Sequence, residues 1–296
     1  MGILAYFITA ILLLASLCYF NKTVRFHIKN ICFLLIFLVI GFVVCVKSFT
    51  RPGDVRNMKW WRYAQHFVRT FTLFNMEIKS ENLEVLNTEE SCVIVSNHQS
   101  EMDQMALVDV WNHIGGTCTI LAKESIKYMG TLGLGCLFSG VVFVDRKNRE
   151  KSRKCMQEVV RRMQEEKLKL WLYPEGTRTM NMDIDMREFK KGAFHMAIQA
   201  QVPIVPVVMS CYKHMYNIKT QTFNKVTINL IGLPAFETKG LTEDDVPELI
   251  HKVRESMLAT YRKTVPVGIN NVENESTVSN RKANEMNGTK IMEREQ

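Results

Sequence analysis

The residues best suited to chemistry lie in the stretch Asn97-His-Gln-Ser-Glu-Met-Asp103. A carboxylate bonded to one imidazole nitrogen fixes the tautomer and stabilises the imidazolium, so the other nitrogen can accept a proton. On one continuous helix His98 and Asp103 would point about 140° apart, because each residue turns about 100°. They can meet if His98 lies in a loop and Ser100 caps the next helix, since Asp103 would then reach back toward the cap.

The same stretch is equally compatible with a structural role, in which Asp103 only caps a helix and His98 is an exposed loop residue. A metal site is less well supported, because no third ligand stands at a recognisable spacing. The eight cysteines are scattered and form no Cys-x-x-Cys pair, which is typical of small buried residues in a reducing compartment. The choice between catalysis and capping therefore depends on the rest of the chain.

Two other apolar runs are each followed by an arginine. Val141–Val144 leads into Asp145-Arg146, and Leu170–Pro174 leads into Glu175-Gly176-Thr177-Arg178. Ligands of open α/β sheets bind at the carboxyl edge of the strands, and arginine suits bidentate contacts with phosphate. Each arginine alone is more often a surface charge, but their repetition at equivalent strand ends predicts one crevice shared with His98 and Asp103.

Short apolar runs that alternate with amphipathic stretches must position these loops. The runs that predict strands are Cys92–Ser96, Cys118–Leu121, Val141–Val144, Leu168–Tyr173, Ile204–Met209 and Val226–Ile231. The stretches that predict helices are Ser152–Lys167, Gly192–Ala200 and Thr242–Lys263, the last opening with a possible capping box, Thr242-x-x-Asp245. Uniformly apolar strands alternating with helices predict an α/β fold with a mostly parallel sheet covered by helices.

The N-terminus contains two uncharged apolar runs, Gly2–Phe20 and Ile31–Val46, separated by a short basic linker. As helices they would span about 28 Å and 24 Å, against about 30 Å for a bilayer core. A cleaved signal peptide fits poorly, because no basic segment precedes the first run. Basic residues on both sides of Ile31–Val46 favour a shallow second segment. We therefore predict a membrane-anchoring hairpin over residues 1–50, an α/β domain over 51–263 and a disordered polar tail over 264–296.

The formal charge of +8 indicates an anionic partner. A nucleic acid fits poorly, because no basic motif with interleaved aromatic residues is present. The basic positions between Arg51 and Arg69, and those between Lys147 and Lys169, are compatible with anionic lipid head groups. They are equally compatible with ordinary solvated helix faces.

The polar clusters together resemble the ordered motifs of the glycerolipid acyltransferases, most closely the 1-acylglycerol-3-phosphate (lysophosphatidate) acyltransferases. The stretches that carry the resemblance are Asn97–Asp103, Gly140-Val-Val-Phe-Val-Asp-Arg146, Tyr173-Pro-Glu-Gly-Thr-Arg178 and Val202-Pro-Ile-Val-Pro-Val-Val208. Phe189-Lys-Lys-Gly-Ala-Phe194 resembles a further stretch between the third and fourth motifs. A lone His-x4-Asp pair is common, whereas four motifs in this order are highly specific.

This resemblance implies transfer of an acyl group from acyl-CoA to the sn-2 hydroxyl of a lysophosphatidate, giving phosphatidate for phospholipid biosynthesis. His98 is then the general base and Asp103 orients it. The acceptor phosphate is held by Arg146 and Arg178 together with Lys123, and Glu175 positions the glycerol within the loop that includes Gly176 and Thr177. No metal or bound cofactor is expected, since the thioester of acyl-CoA, the co-substrate, supplies the driving force.

The expected location is a membrane, that of the endoplasmic reticulum, with the crevice at the cytosolic face where acyl-CoA is supplied. The partners expected are lysophosphatidate, acyl-CoA and membrane lipids, without nucleic acid. Two alternatives stay open: an acyltransferase for glycerol-3-phosphate or another lysophospholipid, and a non-catalytic lipid-binding membrane protein. Assaying several acceptors with one acyl-CoA tests the first alternative. Substitution of His98 tests the second, because a non-catalytic lipid-binding protein would keep its function.

Overall fold

The computed structural model describes residues 21–71, 76–181 and 185–266, together with scattered positions among the first twenty. The first apolar run, expected to form one arm of a hairpin, lies largely outside the described residues. Most of the polar tail, residues 267–296, lies outside them as well. The positions that are described between residues 2 and 20 are helical.

A seven-stranded sheet forms the centre of the molecule, as predicted. Its strands, in chain order, are β1 (Met76–Glu81), β2 (Val93–Ser96), β3 (Cys118–Lys123), β4 (Val142–Val144), β5 (Lys169–Leu172), β6 (Ile204–Met209) and β9 (Val226–Gly232). They lie in the order β1-β9-β6-β2-β5-β3-β4, and only the β6–β9 pair is antiparallel. A separate two-stranded hairpin consists of β7 (Tyr216–Asn217) and β8 (Thr222–Phe223). The fold class is therefore confirmed as α/β with a mostly parallel sheet.

Helices cover both faces of this sheet. They are α1 (Lys22–Ser48), α2 (Met58–Phe71), α3 (Asp103–His113), α4 (Gly130–Phe138), α5 (Arg149–Glu166), α6 (Gly192–Ala200) and α7 (Val246–Lys263). On β2, Val93 and Val95 face the core made with α5, α6 and α7, whereas Ile94 faces the core made with α1 and α3. Side chains alternate along a strand, so a strand covered on both faces must be apolar throughout.

The predicted strands and helices all form, with boundaries shifted by a few residues. Ile204–Met209 and Gly192–Ala200 have the predicted bounds, and the capping box of Thr242 and Asp245 is present. Strand β1 was not predicted, because its residues Met-Glu-Ile-Lys-Ser-Glu are half charged. β1 tolerates those charges because it lies at the edge of the sheet.

Helix α1 differs from the expected linker followed by a short apolar segment. The basic residues from Lys22 onward are helical and continuous with the apolar run, so α1 has 27 residues and is about 40 Å long. The helix begins after Asn21, whose side chain accepts a hydrogen bond from the Val24 backbone N–H. By length and composition alone, α1 is long and apolar enough to cross a membrane.

The α/β domain contacts α1 along its length. Near the start, Phe26 packs against Tyr216 and Phe223. Farther along, the Thr131 hydroxyl of α4 donates to the Leu38 carbonyl, and a side chain at Gly41 would strike the α4 backbone. The opposite face of α1 is apolar and exposed, at residues that include Ile31, Leu34, Leu35, Val39, Phe42, Val43 and Val46.

Candidate active site

His98 and Asp103 meet just beyond the carboxyl end of β2. Nδ1 of His98 lies 2.6 Å from Oδ2 of Asp103, whose side chain is fully buried, whereas the imidazole is 16% exposed. A carboxylate can only accept a hydrogen bond, so this contact assigns the ring proton to Nδ1 and leaves Nε2 as the free base. The predicted juxtaposition of the two side chains is therefore present.

Asp103 reaches back to the loop, as its spacing from Ser100 predicted. Its Oδ2 atom accepts the backbone N–H groups of Gln99 at 2.8 Å and Ser100 at 3.2 Å. The hydroxyl of Ser100 accepts from the N–H of Met102 at 3.0 Å, so only the carboxylate half of the expected box forms. One carboxylate thus both caps the turn before α3 and orients the histidine.

The amide side chains of Asn97 and Gln99 attach this loop to the end of β6. Nδ2 of Asn97 donates to the Met209 carbonyl at 2.9 Å, and Oδ1 accepts from the Met209 N–H at 2.8 Å. Nε2 of Gln99 donates to the Ser210 carbonyl at 2.8 Å. Since all of these groups are buried, the contacts satisfy polar atoms that would otherwise destabilise the fold. The hydrogen bonds of Asn97 and Gln99 therefore fix the backbone on both sides of His98.

Two tyrosines complete the surroundings of the pair. The hydroxyl of Tyr212 donates to Oδ1 of Asp103 and lies 2.8 Å from the Ser100 hydroxyl. The ring of Tyr173 stacks on that of His98, with the centroids 4.0 Å apart and the planes 11° from parallel. Burial, reinforced by the nearby Asp103 carboxylate, raises the pKa of both phenols well above 10, so both stay protonated.

Glu175 is buried and bonds to the backbone around His98. Its Oε1 atom accepts the His98 N–H at 2.7 Å, while Oε2 accepts from the Thr179 hydroxyl and the Arg187 N–H. The Thr179 N–H in turn donates to the His98 carbonyl at 2.7 Å. Burial raises the pKa of the Glu175 carboxyl, and these hydrogen bonds oppose the shift. The structure thus gives Glu175 a positioning role toward His98, in addition to any contact with a substrate.

The predicted cations lie around the carboxyl ends of β3, β4 and β5, strands that run parallel to β2. Lys123 ends β3 beside Val144, and its side chain is exposed. Arg146, also exposed, donates to the Gly176 carbonyl. The guanidinium of Arg178, 48% exposed, pairs with Glu101, while Thr177 is exposed beside it. The loops after β2, β4 and β5 therefore lie at one edge, as the sequence predicted, and the end of β3 with Lys123 lies at the same edge.

Local sequence patterns did not identify Tyr212 or Tyr173 as part of the site. Tyr212 stands 109 residues from Asp103, and Tyr173 belongs to a strand-like apolar run. The position of Tyr212 could have indicated its role. It lies three residues after the end of β6, and β6 is the neighbour of β2 in the sheet. The Gly176 N–H donates to the Tyr173 carbonyl at 3.0 Å.

The sequence of this chain is similar to a known protein family and to several of its members. The family model described as Acyltransferase matches residues 77–210. The human 1-acyl-sn-glycerol-3-phosphate acyltransferase alpha is 35% identical over 85% of this chain and 86% of its own length. The human beta enzyme of the same name is 36% identical over 85% of this chain and 89% of its own length. Both alignments extend well beyond the match to the family model.

One solved structure shares the fold. The crystal structure of the 1-acyl-sn-glycerophosphate acyltransferase PlsC from Thermotoga maritima matches with a TM-score of 0.58 and 23% identity. The match covers 80% of this chain and 97% of that one. The parallel sheet with its helical covering is therefore common to the two chains.

Proposed function

The chain belongs to the 1-acylglycerol-3-phosphate acyltransferases, and from this membership we propose that it transfers an acyl group from acyl-CoA to the sn-2 hydroxyl of lysophosphatidate. That it is an acyltransferase follows from the family itself. The donor, the position acylated and the roles of individual residues are the parts proposed. The observation that carries the catalytic roles is the 2.6 Å contact between His98 and the buried Asp103; the donor and the position acylated are proposed from the family resemblance.

His98 acts as the general base in the proposed reaction. Nε2 takes the proton of the acceptor hydroxyl as that oxygen attacks the thioester carbonyl, and Asp103 stabilises the imidazolium that results. The carbon–sulfur bond then breaks, and the departing thiolate of CoA receives the proton from Nε2. The acceptor oxygen has gained an acyl group and His98 is again neutral, so the step needs no metal or bound cofactor.

The surrounding contacts support a base that keeps one orientation throughout this cycle. Asp103 holds Nδ1, Glu175 and Thr179 hold the backbone of His98, and Tyr173 covers one face of the ring. Fixing a catalytic group in its reactive orientation lowers the barrier because less entropy is lost at the moment of reaction. Arg146, Lys123 and Arg178 lie on the loops nearby and are proposed to attract the acceptor phosphate.

The exposed apolar face of α1 supports a membrane location. A contiguous apolar surface of this kind is typical of a contact with another protein or with lipid, and a lysophosphatidate with one long chain is itself a membrane component. We propose that this face lies in the cytosolic leaflet of the endoplasmic reticulum, where acyl-CoA is available. Because the domain contacts α1 along its length, we expect α1 to lie against the domain rather than to cross the bilayer alone.

The decisive experiment is an acceptor panel with the purified full-length protein in mixed micelles. Lysophosphatidate, lysophosphatidylcholine, lysophosphatidylethanolamine and glycerol-3-phosphate are each supplied with one acyl-CoA, and product regiochemistry is determined by phospholipase A2 digestion. We expect transfer to lysophosphatidate to have the highest kcat/KM and the new acyl group to be released by that digestion. A higher kcat/KM for another acceptor, or acylation elsewhere on the glycerol, would reject the proposal.

A further inference from the structure

The side chain of Lys190 lies across Gly176, in the loop that follows β5. A Cβ atom added at Gly176 would come within 2.7 Å of Cε and 2.9 Å of Nζ of Lys190. Real side chains do not approach so closely, so the lysine occupies the space where a side chain of residue 176 would stand. Gly176 also has φ +67°, a conformation that glycine adopts without strain. The glycine therefore lets an ammonium group lie against this loop.

Arg146 approaches the same glycine from its carbonyl. The guanidinium donates to the Gly176 carbonyl, and Lys190 lies where the missing side chain would be. The preceding residue, Glu175, bonds to the backbone of His98 at 2.7 Å. Lys190 itself is anchored because its backbone N–H donates to the Pro174 carbonyl at 2.9 Å. Two cationic side chains thus converge on Gly176, the residue after Glu175, whose side-chain carboxylate bonds to the His98 backbone.

Arg146 and Lys190 differ from Arg178 in whether a carboxylate neutralises their charge. Arg178 forms an ion pair with Glu101, so much of its charge is already neutralised. Among the described residues, no carboxylate lies within ion-pair distance of Arg146 or Lys190. A phosphomonoester carries a charge of about −1.5 to −2 near neutral pH, so its neutralisation calls for two unpaired cations. Arg146 and Lys190 are two such cations, and both lie against Gly176.

We propose that Lys190 and Arg146 together bind the phosphomonoester of the acceptor, with Gly176 between them. This inference rests on the proposed function and adds a phosphate-binding residue that the motif analysis did not assign. Arg146 presents a planar pair of donors and Lys190 a compact point charge, a combination that can bind a phosphate from two sides. The phosphates of CoA have the same chemistry, so the test must distinguish donor from acceptor.

The test compares Lys190→Met, which keeps the length and loses the charge, with Lys190→Arg, which keeps the charge. Lys191→Met is the matched control, because Lys191 is adjacent, equally cationic and exposed. Each full-length protein is assayed in mixed micelles with lysophosphatidate and with monoacylglycerol, which lacks the phosphate. Donors are an acyl-CoA and the same acyl group on pantetheine, which lacks the phosphates of CoA.

We expect Lys190→Met to raise the KM for lysophosphatidate about tenfold or more, because a charge-assisted hydrogen bond is lost. The kcat should change less than threefold, and Lys190→Arg should restore most of the affinity. Transfer to monoacylglycerol, the KM for acyl-CoA and the properties of Lys191→Met should stay as in the wild type. Retained transfer to monoacylglycerol also shows that the variant is folded.

Two results would overturn the inference. One is an unchanged KM for lysophosphatidate in Lys190→Met. The other is a raised KM for acyl-CoA alone that disappears with acyl-pantetheine, since Lys190 would then serve the donor. The proposed function is tested separately by the wild type, whose preferred acceptor does not depend on any variant. If that acceptor is another phosphomonoester, its KM in Lys190→Met is the quantity that tests Lys190.

Discussion

The loop that carries His98 and the rim that carries Arg146, Arg178 and Lys190 share one edge of the sheet but are built in opposite ways. Around His98 the polar side chains are buried and bonded to several partners each, as Asp103 is to His98, Gln99, Ser100 and Tyr212. On the rim each cation is exposed; Arg146 bonds to the Gly176 carbonyl and Arg178 pairs with Glu101.

This difference matches the demands of the two tasks. A proton transfer requires fixed geometry within fractions of an ångström, and buried hydrogen bonds supply it. A charged acceptor must first be attracted and then released as product, and exposed cations can do so without a large desolvation cost. We therefore expect changes in the loop to lower kcat and changes on the rim to raise KM.

The largest effect is expected from His98→Ala. Removal of the base should lower kcat about 10²- to 10⁴-fold, because general-base assistance contributes that much, while the KM for lysophosphatidate changes little. Steady-state acyl transfer measures both quantities. His251→Ala is the matched control, since His251 is an exposed residue of α7. If His98→Ala kept wild-type kcat, the chain would bind lipid without using this pair for catalysis.

The next largest effect is expected from Arg146→Gln, which tests the rim. The KM for lysophosphatidate should rise about 10- to 100-fold, by the loss of charge-assisted hydrogen bonds. The kcat should change less than threefold. Arg178→Gln should raise the KM less, because the ion pair with Glu101 already offsets its charge. Equal effects of the two substitutions would show that the charge balance does not decide phosphate binding.

A smaller effect is expected from Tyr212→Phe, within the buried loop. Loss of the hydroxyl frees Oδ1 of Asp103 but leaves the bonds of Oδ2, so kcat should fall about three- to tenfold with an unchanged KM, which corresponds to one hydrogen bond of ordinary strength. Tyr216→Phe is the matched control, because its hydroxyl donates at 2.8 Å to Asn30 rather than to the site. Similar kcat losses in both variants would point to general destabilisation.

The smallest effect is expected from the titration of Glu175, which makes the free energy of unfolding depend on pH. Burial raises the pKa of its carboxyl above 4.5, so the folded state holds its proton to higher pH than the unfolded state. Its contribution is therefore most favourable at low pH and declines as the pH rises from about 4.5 through the folded-state pKa.

Glu175→Gln removes this titration. The free energy of unfolding of the wild type, measured with denaturant and compared with that of the variant, should fall as the pH rises through that window. The change should be about 1.4 kcal/mol for each unit by which the pKa is raised. A difference that stays constant or grows with pH would mean that the hydrogen bonds from His98, Thr179 and Arg187 outweigh burial.

Much of the fold could be read from local patterns. Ile204–Met209 and Gly192–Ala200 were predicted with their observed bounds, because uniform apolarity and helical spacing are properties of neighbouring residues. Edge strand β1 was not predicted, because its neighbouring residues show no such pattern. Half of its residues are charged, and its partner β9 begins 150 residues later, so no local pattern favours a strand.

The sequence by itself determined the chemistry available: a histidine and an aspartate at capping spacing, and arginines after two buried strands. Only the tertiary structure decided how these residues are used. It brought Tyr212 to Asp103, paired Arg178 with Glu101, and turned Glu175 toward the backbone of His98. The physical reason is that hydrogen bonds and ion pairs depend on distances in space, whereas sequence spacing fixes only the neighbours along one strand or helix.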